Sequence, residues 1–196
     1  MKTDDAKVSL CHQLNTAAVF CVLAVAIILL FHAKPYSSAF TVGLPLGVQL
    51  LIGAAFAAAY WIASRFGSRL IANRKAAQHI AESYSRLDLS GWNPLWIAVA
   101  AGVGEELLFR GALQPIVGIW VASILFVLVH IRAYRWDQLN KRVLLQSFSV
   151  LAIGVSLGLI AMYVGLFAAV IVHAAMDAVG LYAIRLMTSA SVTATG

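Results

Sequence analysis

The sequence predicts an all-α, polytopic membrane bundle of about six transmembrane helices, with one further amphipathic helix on the cytoplasmic side. Three observations predict it. Of the 196 residues, 62% are hydrophobic and 11% charged, against roughly 25% charged in a soluble domain. The charged residues cluster between long uncharged runs. Most of these runs are long enough for the roughly 20 residues that a helix needs to cross the hydrocarbon core, and the stretch from Pro94 is interrupted by Glu105, Glu106 and Arg110. The length suits a single integral membrane domain over residues 1–196, with no room for a second soluble domain.

Helix one lies between Lys7 and Lys34, where no Lys, Arg, Asp or Glu occurs, and Ala17 to Phe31 is its apolar heart. Ser37-Ser38-Ala39 resembles a signal-peptide cleavage site. The polar leader is long and the next segment also spans, so an uncleaved helix is expected. Helix two runs from Pro35 to Ser64 and closes on Tyr60-Trp61, a pair suited to the headgroup level. Arg65 to Leu87 changes character: Arg65, Arg69, Arg74, Lys75 and Arg86 alternate with Phe66, Leu70, Ala77, Ile80, Tyr84 and Leu87 at helical spacings. This predicts an amphipathic helix lying on the cytoplasmic headgroups. His79 within it, and His12 and His32 near the ends of helix one, read as solvated side chains.

Asn93-Pro94 supplies an N-cap followed by proline at the first helical position. Helix three then runs from Pro94 to Leu113, about 30 Å, which matches the hydrocarbon core. Gln114-Pro115 reads as a turn, and helix four continues to His130, ahead of a loop with Arg132, Arg135, Lys141 and Arg142. Val143 to Ile184 would make about 63 Å of helix, twice the core thickness, so it folds back once. Tyr163-Val164-Gly165 is the natural place, giving helices five and six, with Arg185 and a small polar tail after them.

With the N-terminus inside, the cytoplasmic segments hold twelve basic residues and the outer ones only Lys34; Arg110 is within the membrane. The formal charge of +6 forms no aromatic-interleaved patch, so lipid headgroups rather than nucleic acid are the expected partner. Cys11 and Cys21 imply neither a disulfide framework nor a CxxC metal site.

The stretch from Gly102 to Gly111 places Glu105, Glu106 and Arg110 inside helix three. A charge near the bilayer centre costs about 2.5 to 3.5 kcal/mol even on lenient scales, so these three need internal compensation. Glu106 and Arg110, at i and i+4, can pair directly. Glu105 lies roughly 140° round the helix from Arg110, which makes it the carboxylate available to a water-filled cavity. The plainer alternative is a structural ion pair with a spare Glu. Two more polar sites enter the spans: His130 follows Phe126 by four residues and His173 precedes Asp177 by four, so each pair shares a face. From the outer side His173 is about 15 Å deep and His130 about 22 Å, with Glu105 near the midplane. All can line one cavity open to the cytoplasm. A lone His on an apolar helix is usually a satisfied core residue, but two His, two Glu and an Asp at compatible depths are harder to dismiss.

The chemistry that suits this set is hydrolysis. A Glu takes a proton from water while imidazoles orient that water and stabilise the oxyanion of a tetrahedral intermediate. Ser123 and Ser156 lie in apolar stretches without a base partner and Ser147 and Ser149 precede a span, so a serine mechanism has little support. Zinc at His130, His173 and Glu105 is the less favoured alternative, because HExxH is absent and the ligands would come from three helices; no cofactor is expected.

The pattern Glu105-Glu106-x-x-x-Arg110, Phe126-x-x-x-His130 and His173-x-x-x-Asp177 resembles the three motifs of the CPBP (Abi) family, the CAAX prenyl protease and bacteriocin-processing intramembrane endopeptidases. The resemblance covers about residues 94–184. It implies a glutamate-dependent intramembrane endopeptidase with Glu105 as the water-activating base, Glu106 as its partner held by Arg110, and His130 and His173 positioning water and substrate carbonyl. The implied setting is a prokaryotic cytoplasmic membrane, and the implied partner a peptide or small protein substrate at its surface. Asp177 stands where many members have Asn. An amide donates to an oxyanion and an ionised Asp does not, so Asp177 either orients His173 or acts protonated. The chain is also shorter than the eukaryotic CAAX proteases, with about six spans where those have more. Two other classes compete: a non-catalytic bacteriocin-immunity or partner-binding protein, which the same resemblance includes, and a proton-coupled transporter using buried Glu and His as relays. The small size and lack of an internal repeat weigh against the transporter.

Overall fold

The uncharged runs form the helices. The structure, a computed structural model, describes residues 8–32, 38–70, 87–133 and 141–193. Helix α1 is Leu10–Phe31, α2 a single turn at Ser38–Thr41, α3 Leu46–Leu70 and α4 Asn93–Glu106. A π-helical segment, Leu107–Leu113, joins α4 to α5 (Gln114–Ala133), and α6 (Lys141–Tyr163) and α7 (Leu166–Thr193) complete the chain. No strand occurs among the described residues. Among the described residues, five helical stretches are long and apolar enough to cross a membrane: Leu10–Phe31, Leu46–Arg65, Asn93–Ile131, Val143–Tyr163 and Leu166–Met187. The protein is an integral membrane protein with an all-α polytopic bundle.

The 39-residue stretch Asn93–Ile131 doubles back on itself. On a straight helix Phe109 and Phe126 would stand about 25 Å apart, yet their ring centroids are 5.3 Å apart in an edge-on pair. The chain reverses at Gly118, whose φ of 80° lies outside the helical region and is open to glycine. This corrects the expected turn at Gln114-Pro115, which remains helical. The Gln114 amide donates to the Gly158 carbonyl of α6 at 2.9 Å, holding the segment before the break.

Other boundaries also move. The second span begins at Leu46 rather than Pro35, after the positive-φ Gly43 and Pro45, and runs beyond Ser64. Asn93 is not the side-chain cap expected of it: Trp92 holds the cap position and the Asn93 amide donates to Asp88 Oδ2 at 3.0 Å. The last helix does not stop before Arg185, whose guanidinium donates to the Gly91 carbonyl at 2.7 Å. The fold-back at residues 163–165 is as the sequence indicates. Of the expected amphipathic helix at 65–87, residues 71–86, and with them His79, lie outside the described residues, as do Lys34 and Arg135.

Helix α4 lies between α1 and α7, α3 lies along α7, and α5 packs on α6 and on the π segment. Small residues permit the close approaches. A Cβ at Gly102 would stand 3.1 Å from the backbone nitrogen of Ala174 on α7, and one at Gly104 would stand 2.9 Å from the Ala17 carbonyl oxygen on α1. Gly154 and Gly158 face Ser123, Gln114 and Ile119, so this small pair serves packing within the chain. Ala24, Ile28, Leu108, Phe109, Ala112, Phe126 and Val150 form the main buried cluster, at the meeting of α1, the π segment, α5 and α6.

The α6–α7 turn is tied to the start of α3 by Gln49. This buried side chain donates to the Leu44 carbonyl at 2.7 Å and accepts from the Phe167 N–H at 3.1 Å. Gly165 has φ of 136°, and a Cβ there would run into Gln49. Gly165→Ala is therefore expected to destabilise the bundle by about 1 to 3 kcal/mol, read as a lower thermal midpoint in detergent. Gly47→Ala, where a Cβ meets open space, is the comparison, and equal midpoints for the two variants would contradict this account of the turn.

Candidate active site

The six ionisable residues singled out from the sequence meet around His173. Glu106 is fully buried, at 0% exposure of its side chain, and its Oε1 sits 3.2 Å from Arg110 Nη1, the expected i,i+4 pair. The same oxygen lies 2.6 Å from His173 Nδ1. A carboxylate can only accept, so Nδ1 carries the proton of that bond and Nε2 is turned toward the other carboxylates. His173 Nε2 is 3.9 Å from Glu105 Oε2 and 3.6 Å from Asp177 Oδ2.

His130 approaches from α5 in the same way. Its Nδ1 bonds to the Phe126 carbonyl oxygen at 2.7 Å, which again places the proton on Nδ1, and its Nε2 faces Glu105 Oε2 at 3.7 Å. Two imidazole edges thus converge on one carboxylate oxygen at distances beyond a direct hydrogen bond. Glu105 Oε2 is buried and has no hydrogen-bond partner among the described residues. Glu105 and His130 side chains are each 16% exposed, and Asp177, at 39%, stands at the rim.

Phe126 organises the centre. Arg110 lies over its ring with the guanidinium carbon 4.4 Å from the centroid, a cation–π contact that partly offsets the burial of the charge. The His130 ring is 4.5 Å from the same centroid and the His173 ring 5.9 Å. Arg110 Nη2 also donates to the Gly154 carbonyl at 3.0 Å. The sequence signals Phe126 only through its spacing from His130; for the Gly154 carbonyl it offers no signal, because a backbone acceptor is independent of side-chain identity.

The local backbone follows from Pro115. A proline in an α-helix clashes with the carbonyl four residues back, here Gly111. The chain widens ahead of it: the Gln114 N–H bonds to the Phe109 carbonyl, an i to i−5 link, within Leu107–Leu113. Arg110 projects from this segment, and such π turns occur often at functional sites.

Residues 88–179 match the family described as type II CAAX prenyl endopeptidase, Rce1-like. The matched segment covers 92 of the 196 residues. It holds all six converging residues and Phe126. The chain is also similar to a protein of Bacillus subtilis (strain 168) described as uncharacterized protein YpbD, 36% identical over 86 residues, which are 43% of this chain and 42% of that protein. The chain thus aligns with less than half the length of the curated relative it matches. No solved structure is significantly similar to it.

Outside the matched segment, His32 differs from expectation. It is not a merely solvated side chain: its Nε2 lies 2.8 Å from the Ala112 carbonyl oxygen of the π segment, in a part-buried contact. His12 is exposed. Ser147, Ser149 and Ser156 each donate to the carbonyl four residues earlier in α6. Among the described residues no group of His, Cys, Asp and Glu side chains takes a metal-holding arrangement.

Proposed function

We propose that the chain is an intramembrane endopeptidase that hydrolyses a peptide bond of a membrane-associated protein or C-terminal segment, using water activated by Glu105. The observation that carries this reading is the approach of His130 Nε2 and His173 Nε2, at 3.7 and 3.9 Å, to one oxygen of Glu105 that has no hydrogen bond among the described residues. The likeness to type II CAAX prenyl endopeptidases supports the same reaction class.

A water seated on Glu105 Oε2 also reaches the two imidazole edges, which fix its orientation. Glu105 takes a proton from it, the oxygen attacks the scissile carbonyl carbon, and the carbonyl electron pair moves to oxygen. An imidazole protonated at both nitrogens donates from Nε2 to that oxyanion. Collapse of the intermediate expels the amine, which takes the proton that Glu105 holds. Glu106, fixed by Arg110, keeps His173 in its orientation through Nδ1. Asp177, with Oδ2 3.6 Å from His173 Nε2, favours the charged imidazole by proximity rather than by a direct hydrogen bond, and stands where the peptide enters. The excess of basic residues in the segments flanking the spans supports an orientation with the N-terminus and the rim of the site on the cytoplasmic side.

The test is cleavage of membrane proteins from cells expressing Glu105→Gln, by purified wild type in liposomes, with and without EDTA. New peptide termini in both conditions are expected, and His173→Ala should abolish them. Cleavage lost on chelation and restored by zinc would replace the glutamate mechanism with a metal-dependent one. No cleavage by folded wild type would favour a partner-binding or immunity role.

A further inference from the structure

We infer that His32 is a positioning residue that holds the π register of Leu107–Leu113, and through it Arg110 and His173; its effect on rate rests on the proposed endopeptidase activity. Two links tie this segment to neighbouring helices, and a third ties its C-cap residue, Gln114. Arg110 Nη2 donates to the Gly154 carbonyl and Gln114 Nε2 to the Gly158 carbonyl, both on α6. His32, at the end of α1, donates from Nε2 to the Ala112 carbonyl at 2.8 Å across 80 residues of sequence. The carbonyl can only accept, so the ring presents Nε2–H there.

The link bears on the site because a π turn competes with the commoner α register. Slipping from one to the other changes the helical phase of the residues within the turn. Arg110 would leave the position from which it meets Glu106 Oε1 at 3.2 Å, lies over Phe126 and reaches Gly154. Glu106 in turn sets the His173 ring through a 2.6 Å bond. The α1 side of the bundle is packed to support the same segment: Phe20 meets Phe109 edge-on at 6.4 Å, and Ala24 and Ile28 are buried against Leu108 and Ala112. His32 adds a directional bond to that apolar contact, aimed at the segment's backbone.

The sequence offers a local probe. Phe-Arg occurs once in the chain, at Phe109-Arg110. Protein labelled with carbonyl-13C phenylalanine and 15N arginine therefore gives one paired signal, from the Phe109 carbonyl, which accepts the i to i−5 bond of the π turn. The experiment compares this signal by solid-state NMR in liposomes for wild type, His32→Leu and His32→Gln, with kcat and KM for cleavage of the same membrane substrates. The glutamine amide puts an N–H near the place of His Nε2. Expected are a displaced Phe109 signal and a three- to tenfold lower kcat in His32→Leu, the size of one lost hydrogen bond, with KM unchanged and both values recovered in His32→Gln. An unmoved Phe109 signal in folded His32→Leu would overturn the inference, as would equal displacement in the two variants. Absence of cleavage in all three proteins, with the signal displaced only in His32→Leu, would remove the endopeptidase reading and leave the register claim standing.

Discussion

Replacing Arg110 with methionine should destabilise the folded bundle by about 3 to 5 kcal/mol, the size expected when one partner of a buried ion pair is removed. Glu106 is fully buried, and its Oε2 already has no hydrogen bond among the described residues. Without the guanidinium its carboxylate keeps only the His173 bond. The substitution also removes the donor to the Gly154 carbonyl and the cation over Phe126. Against a total stability of about 5 to 15 kcal/mol for a typical domain, such a loss leaves little margin. Thermal unfolding in detergent measures it. The double variant Arg110→Met with Glu106→Gln should recover part of the loss, since no buried carboxylate is then left without its counter-charge. A single variant as stable as the wild type would show that the pair is not needed for the fold.

Glu105→Gln should have the opposite profile, with cleavage lowered by about 10² to 10⁴-fold, the usual worth of a general base, and an unchanged unfolding midpoint. Glutamine has the shape of glutamate, and Oε2 makes no hydrogen bond within the described protein that the substitution would remove. The amide cannot take a proton from water at neutral pH. The contrast separates two carboxylates adjacent in sequence: Glu106 faces inward to Arg110 and His173, whereas Glu105 faces the two imidazole edges. A Glu105→Gln protein that cleaves at the wild-type rate would remove Glu105 from the chemistry.

Much of the architecture was legible because charge and span length are strong signals in a membrane chain. The fold-back at residues 163–165 follows from a run twice the core thickness, and the Glu106–Arg110 contact follows from i,i+4 spacing. The convergence of His130 and His173 on Glu105 was legible only as compatible depth, since which faces of three helices meet is decided by packing. The reversal at Gly118 was misplaced to Gln114-Pro115 because proline is the louder signal. There it widens the helix ahead of it instead of ending it. The π register and the Gly154 and Ala112 carbonyl bonds were invisible: backbone acceptors leave no mark on side-chain pattern, and a helix apolar on nearly every face gives no phase from which to detect a widened turn.

The most direct test of glutamate-dependent proteolysis is a comparison of peptide termini in membrane fractions from cells expressing wild type or Glu105→Gln at matched levels. New termini present only with the wild type, clustered at sites near the membrane surface, are the predicted result and would name the substrate. Identical termini in the two fractions, with both proteins folded in the membrane, would contradict the account.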